Sequence, residues 1–247
     1  VINQRLPSLT SLTLGLVDYE VADLDLRVAV QLKELQFSNK DSADALFDTL
    51  AAHRVTGHQL GSLNLGNYVT IFKDFPNNRR NHVLLQNPEF CGKIKQLISK
   101  HMCDSVDNLH RFTAHFSSLQ SLELNISIVS MPLHQMINAI ARLSELRHLS
   151  LVVRGNGPVW HGIEHHMARL TSVTDLCLKF TPSFSCHSTS QQYFASLPSA
   201  LPHLAKLNVT ASAVASVGNI LAQPAKAIKR KCRITAPNNS FAHCCPG

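Results

Sequence analysis

The sequence predicts an α/β solenoid, a stack of about eight irregular units that share one elongated core. Three observations predict it. A phrase of leucines at three-residue steps closing in L-x-L recurs along the 247 residues. Helix-like stretches separate its copies, and no glycine-rich phosphate loop follows an expected strand. A lone L-x-x-L-x-L can come from an amphipathic helix, but repeated copies at similar spacing point to an array.

In chain order the first unit is Leu6, Leu9, Leu12, Leu14, followed by shorter copies at Leu32, Leu35, Phe37 and at Leu60, Leu63, Leu65. The weakest copy is Ile94 and Leu97, where the last apolar position falls to Ser99. Then come Phe116, Leu119, Leu122, Leu124 and the complete phrase Leu143, Leu146, Leu149, Leu151. Leu170, Val173, Leu176, Leu178 and Leu201, Leu204, Leu207, Val209 finish the series. The leucine before the closing x-L serves as a marker, at 12, 35, 63, 97, 122, 149, 176 and 207, with a mean step of about 28 residues. In a strand, alternate side chains point to opposite faces, so the two leucines of L-x-L enter the core while x faces solvent. One unit cannot bury its own apolar face, and stacking supplies the cover.

The intervals read as helices. Ser42 is an N-cap candidate for 42–52, with Leu46, Phe47 and Leu50 apolar. Pro132 precedes 133–142, where Met136, Ile137 and Ile140 share one face. Weaker helical stretches are 106–116, 160–169, 191–197 and 213–221.

This phrase and spacing resemble the leucine-rich-repeat superfamily, over nearly all of residues 6–209. The asparagine that often follows the strand in that pattern is largely missing, Asn67 being the nearest case. The chain is therefore closer to the ribonuclease-inhibitor-like subclass, a horseshoe with a concave parallel sheet and a mostly helical convex side. The stretch from Val83 to Leu97, with Asn87-Pro88-Glu89 after leucines, resembles a passage of fungal F-box/leucine-rich-repeat proteins. There a helix ending in leucines is followed by Asn-Pro-Glu and then a strand. That resemblance implies repeats that capture a substrate for a ubiquitin ligase, although no Leu-Pro-x-Glu opening of an F-box is present.

Composition narrows the classes of function. Hydrophobic residues at 45% and charged residues at 16% exclude wholesale disorder. The formal charge of +7 admits an acidic partner without marking a nucleic-acid site. No run approaches the roughly 18 apolar residues that span a bilayer, and Val1–Arg5 lacks the order of a signal peptide. The seven cysteines, an odd number without dense even spacing, favour reduced thiols in the cytoplasm or nucleus. Matches to the glycosylation sequon at Asn125, Asn208 and Asn238 are within chance.

Catalytic and metal chemistry find no foothold. His101, Cys103, His165, His166, Cys177, Cys186 and His187 lack the paired spacing of a structural zinc site. Cys177 occupies the x position of Leu176-x-Leu178, and Cys91 and Cys103 read as small core or surface residues. There is no G-x-S-x-G turn, and Asp41, Asp44 and Asp48 form a solvated helix face. The expectation is no enzyme, no cofactor and no metal.

Recognition is left to surfaces. The strand pattern places on the solvent face Ser11, Thr13 and Gly15; Glu34, Gln36 and Ser38; Ser62, Asn64 and Gly66; Ser121, Glu123 and Asn125; His148, Ser150 and Val152; Asp175, Cys177 and Lys179; and Lys206, Asn208 and Thr210. Gln36, Asn64, Glu123, Asn125, His148, Ser150, Asp175, Lys179, Lys206 and Asn208 are the candidate contacts for a protein partner. A second candidate is the 66–82 insertion, with Tyr68, Phe72, Phe75, Arg79 and Arg80. Residues 1–223 form the repeat domain, and 224–247 a basic cap, Lys226 to Arg233, followed by a loosely attached tail. The expected function is protein binding without catalysis, by a monomer unless a ligase complex assembles, with neither membrane nor nucleic acid as partner. The alternatives are a receptor-type ectodomain or a fragment without activity.

Overall fold

A computed structural model describes residues 10–14, 32–37, 60–65, 87–103, 105–127, 132–154, 163–180, 197, 199–201 and 203–211. Eight strands, β1 (Ser11–Leu14), β2 (Glu34–Phe37), β3 (Ser62–Asn64), β4 (Gln96–Cys103), β5 (Ser121–Ser127), β6 (His148–Arg154), β7 (Asp175–Phe180) and β8 (Lys206–Ala211), form one sheet in chain order. Every pairing is parallel and the sheet stays open, an α/β arrangement.

The register is the main finding. Leu12, Leu35, Leu63, Leu97, Leu122, Leu149, Leu176 and Leu207 pair in succession, one unbroken row across the sheet. These are the eight marker positions of the sequence. Leu12 is partly buried, and the other seven are at most 2% exposed. A second inward row runs Ser99, Leu124, Leu151, Leu178, Val209. Slippage by one residue would turn both rows to solvent, so burial pins the pairing.

Two backbone devices repeat with the strands. At every strand junction, the carbonyl two residues before the marker accepts two successive amides of the next unit. Thr10 accepts from Lys33 and Glu34, Arg147 from Thr174 and Asp175, and Thr174 from Ala205 and Lys206, at 2.7–3.1 Å. The leucines at three-residue steps form a tight turn. The amides of Ile94, Leu119, Leu146, Val173 and Leu204 donate three residues back to Cys91, Phe116, Leu143, Leu170 and Leu201. Residues at i and i+3 eclipse in such a turn, so both apolar side chains face the core. That geometry is the physical reason for the three-residue step.

Helices α1 (Pro88–Cys91), α2 (Val106–His115), α3 (Leu133–Ile140) and α4 (Ile163–Met167) supply a second layer. Leu109, Phe112, Met136, Ile137, Ile140 and Met167 join the strand leucines in one buried cluster. Leu109 and Phe112, and likewise Met136 with Ile137 and Ile140, fall at helical spacing, so each helix turns one stripe to the sheet. The ring of Phe112 lies against Phe116, centroids 4.6 Å apart.

Two expectations change, and one strand is irregular. The Asn-Pro-Glu stretch begins a helix of its own, because the Asn87 Oδ1 caps it by accepting from the Glu89 amide at 2.9 Å and Pro88 fits the first turn. The expected helices at 106–116 and 133–142 are shorter, observed as α2 and α3, and in the described part of 160–169 helix α4 gives way to a turn after Met167. Strand β4 runs eight residues, with a register shift between Ser99 and Met102. The helices expected at 42–52 and 213–221, most of 191–197, the 66–82 insertion and the tail lie outside the described residues.

Candidate functional site

Because the leucines take one face of the sheet, the alternate residues form the other. One outer row reads Ser11, Glu34, Ser62, Gln96, Ser121, His148, Asp175, Lys206, and the next Thr13, Gln36, Asn64, Ile98, Glu123, Ser150, Cys177, Asn208. Apart from Ile98 and Cys177 these are polar or charged side chains. Nine of the ten candidate contacts on the sheet keep that place: Gln36, His148, Lys179 and Lys206 are exposed, and Asn64, Glu123, Ser150, Asp175 and Asn208 are half-buried.

Asn125 departs from expectation. It is only 8% exposed, set beside the irregular part of β4 and across from Val152, so it is enclosed by its neighbours rather than presented. The candidates Tyr68, Phe72, Phe75, Arg79 and Arg80 lie outside the described residues.

Over β4 to β8 the outer face dips into a groove of about 230 Å³, lined by Gln96, Glu123, His148, Ser150, Asp175 and Asn208 among others. Two pairs brace its walls. The His148 Nδ1 lies 2.8 Å from the Asp175 Oδ2 on the adjacent strand, and the Lys179 Nζ lies 3.8 Å from the Glu123 Oε1 two strands away. Both pairs are partly solvated, which limits such contacts to about 0.2–1 kcal/mol, so they orient side chains more than they hold the fold. On the groove floor the Ser150 Oγ and Asn208 Oδ1 are enclosed without a hydrogen-bond partner. The sequence assigned both residues to this face but gave no sign of that enclosure, which depends on the neighbouring strands.

Cys177 stands between Ser150 and Asn208 in the row, half-buried and unpaired by disulfide. Cys91, by contrast, is buried in the core, and desolvation pushes its thiol far above the ordinary range. Burial therefore keeps Cys91 in its thiol form. Among the described residues, no group of three or more His, Cys, Asp or Glu side chains is arranged to hold a metal. No described helix is long and apolar enough to cross a membrane.

No family model matches the chain, and no curated protein matches it.

Proposed function

We propose that this chain is a non-enzymatic protein-binding module of the leucine-rich-repeat type, and that it captures its partner on the outer face of the sheet. The observation that carries the reading is the row of marker leucines on one face of the sheet, opposite outer rows that are polar or charged apart from Ile98 and Cys177. The ordered row of marker leucines, the repeated two-amide junction and the repeated three-residue turn support a solenoid built from equivalent units. Such a scaffold holds outer residues at fixed spacing, so a partner meets a preorganised surface.

Within that reading, the resemblance around Asn87-Pro88-Glu89 supports substrate capture for a ubiquitin ligase, in the cytoplasm or nucleus. Proximity labelling with the parent gene product in its own cells tests both levels. The expected result is recovery of a cullin-based scaffold together with other proteins, the latter being lost from the outer-face variants Gln36→Arg and Glu123→Lys. Absence of the scaffold ends the ligase reading. Unchanged recovery of every partner by both variants ends the outer-face reading.

A further inference from the structure

The helical layer carries a cluster of metal-ligating side chains, away from the polar face of the sheet. His134 is the second residue of α3, and His166 is the last but one of α4. Their rings meet between the two helices, with centroids 5.2 Å apart and planes tilted by 35°. His134 is exposed and His166 half-buried, so the pair sits at the surface. A second cross-link lies about one turn further along. Asn138, four residues after His134, accepts at 2.9 Å from Arg169, three residues after His166. The two contacts follow in the same order on both elements, and Met136, Ile137, Ile140 and Met167 seat both helices on the core. The fold, rather than any attraction between the rings, keeps the histidines side by side.

That separation has chemical meaning. An imidazole nitrogen ligates zinc at about 2.0–2.1 Å, which puts each ring centre about 3.2 Å from the ion. Two rings on a tetrahedral ion then stand about 5.2 Å apart, against about 4.5 Å at the right angle of a square-planar ion such as copper(II). The observed spacing matches the tetrahedral case. Bringing one nitrogen of each ring onto the ion needs rotation about χ2, a broad torsion for histidine, and the exposed His134 turns in solvent. Each ring has a second nitrogen, which can keep a hydrogen bond while the first ligates. Arg169, the charged member of the cluster, directs its Nη1 to the Asn138 Oδ1.

We propose that His134 and His166 form a two-imidazole site for zinc on the helical layer, with water completing the tetrahedron. Its two open positions set it apart from closed structural sites, which take four protein ligands. Among the described residues no cluster of three or more candidate ligands offers such a closed site. The ion joins α3 to α4, a place separate from the outer face of the sheet, and the site stands whether or not that face binds a protein.

Carbethoxylation of the histidines in the full chain, with and without zinc chloride and read by mass spectrometry, tests this. The residue-by-residue readout separates the pair from the rest of the 14 histidines. Zinc is expected to protect His134 and His166 together, while His165, exposed beside them, keeps its reactivity. His134→Gln removes the protection of His166, and His166→Gln removes that of His134. Because His134 is exposed, the first variant melts like the parent chain without metal, and it decides the matter if the second fails to fold. Magnesium, which takes oxygen ligands, protects neither ring. Unprotected rings in excess zinc, or protection of either histidine that survives loss of the other, overturns the proposal. Equal protection by magnesium does the same.

Discussion

Ser99 lies fully buried in a row otherwise made of Leu124, Leu151, Leu178 and Val209, and its Oγ has no hydrogen-bond partner. An enclosed hydroxyl without a partner costs about 1–3 kcal/mol. Ser99→Ala is therefore expected to stabilise the chain by about 1 kcal/mol in chemical denaturation, part of the gain being offset by the small void. A lower midpoint for the variant would mean that Ser99 is satisfied in solution. Cys91 gives a second test at this scale. Its thiol ordinarily titrates at 9.0, and burial raises that value in the folded chain. The unfolded thiol ionises first, so this contribution is complete below pH 9 and is lost as pH rises above it. Native-state alkylation followed by mass spectrometry is expected to modify Cys177 well before Cys91. Equal rates would place Cys91 at the surface.

At the scale of elements, capping and repeat geometry account for what the bare pattern hides. Asn87→Ala removes the acceptor for the Glu89 amide at 2.9 Å and the Phe90 amide at 3.4 Å, and is expected to cost about 1 kcal/mol. A thermal melt reads it, and an unchanged midpoint would show that α1 is held by Phe90 and Cys91 alone. Helices α3 and α4 are tied side by side, with the Arg169 Nη1 donating to the Asn138 Oδ1 at 2.9 Å. The strands were legible because L-x-L fixes both their position and their inward side. The cap at Asn87 was not, since Asn-Pro-Glu after leucines fits a connection into a strand as well as a helix start. Asn125 was misplaced because period-two alternation assigns a face but not the height of the surrounding side chains, and here β4 shifts register beside it.

Across the described strands, the two faces of one sheet differ in kind, a leucine row on one side and mostly polar rows on the other. Leu149 sits in the middle of the marker row, 1% exposed, and Leu149→Asp would bury a charge without a partner. Loss of cooperative melting is expected, because neighbouring units depend on one another for cover. Gln36→Asp, on the outer face, is expected to melt like the parent chain. The order of units and the inward row could be read from sequence, since leucine spacing encodes them directly. The groove over β4 to β8 and its enclosed Ser150 and Asn208 could not, because side chains from different units create it. The binding role of the outer face is tested most directly by lysine acylation footprinting, comparing the free chain with the complex recovered from cells. The account predicts that Lys179 and Lys206 lose reactivity in the complex while Lys93, beside α1, keeps it. Full reactivity of Lys179 and Lys206 in the bound state would contradict it.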